Sequence, residues 1–380
     1  MLDVQRWMFN VKLEELIPTD GIKESAAHPK IAATVKRVVD LWKSGEKVVV
    51  FCHYIATGRT LRQRISEAVN EEICKIASQK LKCEPSKVPA GLDRIGKRFF
   101  DEDSPIRQAC DEEAMKILKS YPELDNYNKD LLNIVRRNAR APSFLARFFP
   151  LQFGRLTKDH MVQAMDSRDS SNLTFRDLLE HFFEFLVNRC GKEDQRRYIE
   201  AVARIQTGSY SSSDIDKSYM PDMEADGQRE ILNPTVRLVN GSTKSEQRQR
   251  LMLTFNTPFY PEILVASSVM AEGVDLHLNC RHVIHHDLCW NPTTLEQRTG
   301  RIDRIGAKVE RSGEPIQIYL PYVADTQDEK MYRVVMDRER WFNVVMGEDY
   351  KIDLKTTDKM SERIPLPESV AEHLAFRLEI

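Results

Sequence analysis

The chain has no cysteine pair in CxxC spacing and no regular cysteine framework. Its seven cysteines stand at positions 52, 74, 83, 110, 190, 280 and 289. An odd number in a chain of 380 residues speaks against a disulfide scaffold and fits a reducing compartment such as the cytoplasm. No run of about 18 apolar residues occurs, which leaves no candidate membrane span. Met1-Leu2-Asp3-Val4-Gln5-Arg6 lacks the basic-then-apolar order of a secretory leader. Charge of one sign is scarce too, with 56 Lys and Arg against 58 Asp and Glu. A polyanionic partner must therefore be met by local clusters of basic residues. No internal repeat is visible. A zinc site finds little support: Cys280, His282, His285, His286 and Cys289 crowd together, but in a strand-like run and its flanks, where apolar packing is the simpler account.

What is present is an alternation of strands and helices in two separated pieces. Pro29 to Ser44 predicts a helix. Pro29 suits its first turn, Ile31, Val35, Val38, Val39 and Trp42 form one apolar face, and Gly45 ends it. The run Lys47 to Cys52 predicts a parallel strand covered on both faces. Four similar runs come late, at Thr235–Val239, Ile263–Ala266, His282–His285 and Ile316–Leu320, separated by helical patterns such as Lys244–Phe255 and Thr294–Arg304. Strands alternating with helices predict an α/β fold built on a parallel sheet. Residues 1–27 read as a lead-in, 28–67 and 233–347 as the two parts of an α/β lobe, and 348–380 as an extension. Residues 68–232 differ in character. Helical stripes dominate there, the clearest being Phe175, Leu178, Leu179, Phe182, Phe183 and Leu186 behind a capping pair, Thr174 and Asp177. This stretch predicts a helical insertion, joined back to the sheet by a polar, Ser-rich connection from Gly208 to Asp216 and an acidic stretch to Glu230.

Chemistry concentrates between Ile263 and Gly306. The strand Ile263–Ala266 is followed by Ser267-Ser268 and then Glu272-Gly273-Val274-Asp275. Hydroxyls at the carboxyl end of a parallel strand sit where such sheets bind ligands, and they can hold a nucleic-acid phosphate. Gly273 permits a close backbone approach, and Asp275 offers a carboxylate to a ribose hydroxyl or an arginine. Trp290-Asn291-Pro292 opens a helix that holds Gln297, Arg298, Gly300, Arg301, Arg304 and Gly306. Arginines at spacing three lie roughly along one helix face, where they repel unless an anion lies opposite. A nucleoside triphosphate is such an anion, and a guanidinium suits the charge spread over a transferring phosphoryl group.

These two stretches resemble motifs V and VI of superfamily-2 helicases, the second written Q-R-x-G-R-x-x-R. Trp-Asn-Pro before it and Arg-Ile-Gly closing it are similar in style to the Swi/Snf-type translocases and their bacterial relatives. Val48 to Tyr54 resembles motif IV, Gly241-Ser242-Thr243 with Arg248 and Phe255 resembles a phosphate-contacting turn and its helix, and Lys30 to Leu41 resembles the helix that begins this lobe. The pattern departs at Ala307, where Gln is usual, and at Ser268, where DEAD-box proteins carry Asp. The resemblance implies a RecA-like lobe, the C-terminal half of an ATP-dependent helicase or translocase motor. It implies Arg301 and Arg304 as arginine fingers at the γ-phosphate, with Gln297, Gly273 and Asp275 serving the ATP. It implies that Ser242, Thr243 and Ser267 touch the nucleic-acid backbone, against the plainer role of capping helices. ATP with Mg2+, an N-terminal RecA-like lobe holding that magnesium, DNA rather than RNA, and a cytoplasmic location (nucleoid-associated if bacterial) complete what the resemblance implies.

Such a motor needs a P-loop and a DExx box on its other lobe. Gly91-Leu92-Asp93-Arg94-Ile95-Gly96-Lys97 has P-loop spacing, but Arg98 stands where Ser or Thr should reach magnesium, and no apolar strand precedes it. Asp111-Glu112-Glu113-Ala114 imitates the DExx box, again without a buried strand before it. Both are predicted to lie on helices or turns of the insertion, so the chain alone is expected to hydrolyse ATP negligibly. The stretch Leu131 to Lys158 has no acidic residue; Arg136, Arg137, Arg140, Arg147, Arg155 and Lys158 interleave with Phe144, Phe148, Phe149 and Phe153. Cations among aromatics suit a nucleic-acid strand, with Arg136, Arg137 and Arg140 as candidate contacts. Phenylalanines packing a core beneath a solvated basic face account for the same pattern. The insertion is expected either to extend the nucleic-acid track or to dock a protein. For the whole chain the alternative is a non-catalytic scaffold for nucleic acid or protein.

Overall fold

The computed structural model describes residues 4–11, 28–204, 235–241, 243–267, 275–289, 291–324 and 326–345. The strands are β1 (Val4–Val11), β2 (Lys47–Phe51), β3 (Val236–Val239), β4 (Ile263–Ala266), β5 (Cys280–His285) and β6 (Ile316–Val323). They form one sheet in the order β1-β6-β5-β2-β4-β3, every pair parallel. β2 and β4 are buried throughout, and their side chains alternate between two cores. Val48, Val50, Ile263 and Val265 enter one, while Val49, Phe51, Leu264 and Ala266 enter the other. A wholly apolar strand is the sequence signature of that double burial.

One face is covered by α10 (Ser245–Phe255), α11 (Pro292–Thr299), α12 (Lys308–Ser312) and α13 (Gln327–Val345), through Met252, Phe255, Leu295, Val309 and Val335. The other is covered by α1 (Pro29–Lys43), through Val38, Leu41 and Trp42, and by the insertion. α1 begins on Pro29 and stops before Gly45, whose φ of +92° favours glycine. A Cβ at Gly45 would also stand 2.7 Å from the Cβ of Asp169.

The insertion is less separate than expected. α2 (Ile55–Leu81) is one helix of 27 residues that runs straight through the anticipated boundary at 67/68. Its start packs on the sheet, where a Cβ on Gly58 would touch Leu238, Cys52 and Val265. Its far end lies among α3 (Val88–Lys97), α4 (Pro105–Leu118), α5 (Asn128–Ala139), α6 (Pro142–Phe148), α7 (Lys158–Met165), α8 (Phe175–Asn188) and α9 (Lys192–Ala203). The expected capping box starts α8: the Asp177 amide donates to Thr174 Oγ1 at 3.0 Å, and the Thr174 amide to Asp177 Oδ2 at 2.8 Å. Along α8, Phe175, Leu179, Phe182, Phe183 and Leu186 are buried, and Phe175 and Phe182 meet Phe259 of the strap before β4 at ring distances of 6.4 and 5.7 Å. Sheet face and insertion therefore share a single hydrophobic core.

Buried ions reinforce the seam. Fully buried Glu46 accepts from Lys308 Nζ at 2.8 Å and from Arg281 Nη2 at 3.0 Å, and also from the hydroxyls of Ser170 and Ser171 of the insertion. Burial alone would raise the Glu46 pKa, but Lys308, His282 and Arg281 outweigh it and hold the carboxyl well below the usual range. Lys308 also reaches Asp169 at 2.8 Å. On the same seam, Arg147 pairs with Glu262, donates to the Trp42 carbonyl at 2.7 Å and lies 4.6 Å over the Trp42 ring.

Two expectations are corrected here. The lead-in at 1–27 contains an edge strand, β1, paired with β6 in register from Val4 opposite Ile316 to Val11 opposite Val323. The predicted helix Thr294–Arg304 starts earlier and ends sooner, at Thr299, because Pro292 opens it and Gly300 caps it. Among the described residues no helix is long and apolar enough to cross a membrane.

Candidate active site at the carboxyl rim of the sheet

The ladder continues one residue beyond the central strands and brings their loops level. Ser267 donates its amide to Val239, Cys52 to Ala266 and His286 to Phe51, each at 2.9 Å. Asn240, Ser267, Cys52 and His286 thus stand side by side at the carboxyl rim, where parallel sheets bind ligands. Asp287 crosses from β5 to β2 by accepting the His53 amide at 2.7 Å.

Behind this rim, the segment after α11 turns back on itself with three-residue hydrogen bonds, Arg301 to Arg298 and Ile302 to Thr299 among them. The turn closes on Gly306, whose φ is +84°. It places Arg301 half-buried and Arg304 part-exposed, and it joins them to the chain after β4. The Leu276 amide donates to the Arg301 carbonyl at 2.9 Å, and the Arg304 guanidinium pairs with the Asp275 carboxylate. Buried Asn256 holds the same segment from below, donating to the Asp275 carbonyl at 2.5 Å and accepting the Leu278 amide at 3.2 Å. The two motif stretches, 26 positions apart at Asp275 and Arg301, are thereby one structural unit.

Residues 206–306 match the helicase conserved C-terminal domain. The chain is 34% identical over 87 residues to the uncharacterized ATP-dependent helicase YqhH of Bacillus subtilis (strain 168), a match covering 23% of this chain and 14% of that protein. It is 34% identical over 96 residues to the DNA repair and recombination protein RAD54B of Gallus gallus, covering 25% and 10%. It is 30% identical over 126 residues to the putative ATP-dependent helicase/translocase YwqA of Bacillus subtilis (strain 168), covering 32% and 13%. The chain thus spans a small part of the length of each of these relatives.

Within the matched stretch, the expected residues divide. Asp275, Arg301 and Arg304 are brought together, and Gln297 is exposed on α11. Arg298, expected on one face with the other two arginines, is instead buried. Its guanidinium lies 5.5 Å from the Phe51 ring centroid, and Nη1 donates to the Asp287 carbonyl at 3.4 Å. The cause is the short α11: Arg298 belongs to the helix and faces the core, while Arg301 and Arg304 lie on the turn beyond. Thr243 is buried, and its hydroxyl staples its own turn by accepting the Asn240 amide at 3.1 Å. Ser267 is buried too, and among the described residues its hydroxyl has no hydrogen-bond partner. Ser242 and Gly273 lie outside the described residues. Sequence reasoning missed Asn256 and Asp287, because single polar residues between apolar runs give no periodic signal.

The two motor-motif lookalikes are helical. Gly91–Lys97 lies within α3 and Asp111–Ala114 within α4, where Glu113 is ion-paired with Arg176 at 2.7 Å. Of the three candidate insertion contacts, Arg136 is turned inward, against Asp111 at 3.2 Å and Asn133 at 2.9 Å. It departs from the expected role because α5 buries that face. Arg137 is exposed and Arg140 half-exposed. Phe144 and Phe149 are core residues, whereas Phe153 is exposed. The cysteine and histidine run near β5 is packed rather than gathered: Cys280 donates to the Lys47 carbonyl, His282 meets Tyr319, and His286 shares a hydrogen bond with Thr34 at 2.9 Å. Burial pushes the His286 pKa down to about 4.

Proposed function

We propose that the sheet is the C-terminal lobe of an ATP-driven nucleic-acid motor, with Arg301 and Arg304 acting on the γ-phosphate of ATP held by a second, N-terminal RecA-like lobe. The observation that carries this is the joint between the two motif stretches, the Arg304–Asp275 ion pair with the Leu276–Arg301 backbone bond. An arginine paired with a carboxylate at an open rim is oriented before the nucleotide arrives. When the lobes close, Arg301 and Arg304 face a phosphoryl group whose equatorial oxygens gain charge, and fixed guanidiniums stabilise that charge without reorganising. Gln297, exposed on α11, orients the nucleotide, and Gly273 and Asp275 link the nucleotide to the arginines. The magnesium belongs to the partner lobe, so this chain alone hydrolyses ATP negligibly.

On the nucleic-acid side, Thr243 and Ser267 lie beside the ends of β3 and β4, and with Ser242 they would approach a phosphodiester backbone, DNA in preference to RNA. The Ser267 hydroxyl, which has no partner among the described residues, supports that role more than Thr243, whose hydroxyl is already used. The proposed setting is the cytoplasm, on the nucleoid in a bacterium.

The test is nucleic-acid-stimulated ATPase activity of the chain joined to its P-loop lobe. R301A and R304A should each lower the rate by roughly a thousandfold. Unchanged hydrolysis in both variants would sink the arginine-finger assignment and leave a scaffold.

A further inference from the structure

Arg298 has no part in the chemistry assigned to Arg301 and Arg304, yet it carries a full positive charge into the core. Only 1% of it is exposed. Its guanidinium stands over the Phe51 ring at the end of β2, 5.5 Å from the centroid, close enough for a cation to be held by an aromatic face. Nη1 donates to the Asp287 carbonyl, just past β5, at a long 3.4 Å. Nε and Nη2 are buried and have no hydrogen-bond partner among the described residues. A buried guanidinium with idle donors costs stability, and an apolar side chain of similar length would avoid that cost. Stability therefore does not account for an arginine here. Its contacts do.

Three elements meet at this side chain. β2 brings Phe51, β5 and the residues after it bring His285 and Asp287, and α11 brings Arg298 and Thr299. The Phe51 ring stacks on the His285 ring, with centroids 5.8 Å apart and planes at 16°. His285 Nε2 in turn shares a hydrogen bond with Thr299 Oγ1 at 3.3 Å. The Asp287 carboxylate accepts the His53 amide, on the exposed connection from β2 to α2. The same two residues of α11 carry the turn that follows. The Arg301 amide donates to the Arg298 carbonyl at 3.2 Å, and the Ile302 amide to the Thr299 carbonyl at 2.8 Å. The side chains of Arg298 and Thr299 are thus fastened to β2 and β5, while their carbonyls hold the base of the turn that presents Arg301 and Arg304.

We propose that Arg298 is a positioning residue for the two arginine fingers. Resting on Phe51 and bound to the Asp287 carbonyl, it fixes where the turn of Arg301 and Arg304 stands against the ends of β2 and β5. The proposal rests on the motor-lobe reading and adds that the aim of the fingers comes from a third arginine that touches no phosphate. A misplacement of about 1 Å at a reacting group costs roughly a hundredfold in rate, so a loosened turn is costly even with both fingers present.

The test compares nucleic-acid-stimulated ATP hydrolysis by the chain joined to its P-loop lobe with urea unfolding of the chain. R298M keeps the apolar stem and removes the guanidinium. It should unfold at a urea midpoint no lower than the parent's. Its kcat should nevertheless fall roughly 10- to 100-fold with KM for ATP within about twofold, the pattern of an interaction used in the transition state. R298K retains a cation over Phe51 without the planar fork, and it should recover part of that loss. F51L should also lower kcat, and R298M/F51L should be no slower than the slower single variant, because the two residues act as one contact. A parent-like kcat in R298M, where R301A loses roughly a thousandfold, overturns the positioning role alone. So does a lower urea midpoint in R298M together with additive losses in the double variant, which makes Arg298 a core residue only. Parent-like hydrolysis in R301A as well as R298M overturns both this proposal and the motor reading.

Discussion

Lys47 shows how one residue can be decided by contacts that lie far away in sequence. It opens β2, yet its ammonium is buried and donates to the carbonyls of Phe255, Phe259 and Pro261, the last two at 2.5 and 2.8 Å. It therefore closes the strap that leads from α10 into β4. K47M keeps the apolar stem but leaves three buried carbonyls without a donor, each costing about 1–3 kcal/mol. The expected loss is about 3 kcal/mol, seen as a lower urea midpoint at unchanged slope. Burial also lowers the Lys47 pKa to about 7 from 10.5. Between those values the unfolded chain binds the proton that the folded chain does not, so this group makes stability rise with pH from about 7 to 10.5 and adds no slope below. K47M should remove that rise. If parent and variant gain stability equally over this window, the amine is not titrating there. The sequence shows Lys47 only as the polar start of an apolar run, and it shows Arg298 only as one arginine of three. Both are placed by partners 11 to more than 200 residues away, which no local pattern encodes. Arg301, Arg304 and Asp275 were singled out by motif spacing, and the structure brings them together.

At the scale of elements, the apolar runs marked β2 to β6 to within a few residues, since strands covered on both faces leave little ambiguity in composition. β1 was missed because Trp7, Met8 and Phe9 run together between polar Gln5-Arg6 and Asn10, so neither strict alternation nor a wholly apolar run marks it. An edge strand gives that weaker signal. The end of α11 was misjudged because Gly300 sits inside a motif and was read for chemistry instead of as a cap. Gly45, by contrast, was read correctly as a terminator, and the structure adds a second demand on it. Its positive φ turns α1 into β2, and the space beyond its Cα is filled by Asp169, which holds Lys308. G45A would strain the backbone and push the Asp169 loop off the seam. The expected cost is about 1–3 kcal/mol, read from chemical denaturation. A stability equal to the parent would mean that the loop can shift without loss.

For the molecule as a whole, the sequence announced a lobe and an insertion but not how they are joined. Composition separates them because one is rich in β-branched strands and the other in helical stripes. What composition hides is that Val48, Val50, Leu238 and Val265 of the sheet belong to the same core as Phe144, Phe175 and Phe182 of the insertion. Helix α2 crosses from one to the other without a break, and the buried ions at Glu46 and the part-buried Arg147–Glu262 pair tie the seam. The helices of residues 88–203 thus do for one sheet face what α10 to α13 do for the other. Two units sharing one core should unfold together. Phe259 tests this, since it belongs to the lobe but packs between Phe175 and Phe182. F259A removes a buried ring at that junction and should cost about 3–5 kcal/mol. Hydrogen exchange in α8 and in β4 reports the two sides separately. Both should lose protection by the same amount in F259A, because each opens only when the common core does. A loss confined to α8, with β4 unchanged, would mean that the insertion opens independently and could swing on α2 while the lobe stays folded.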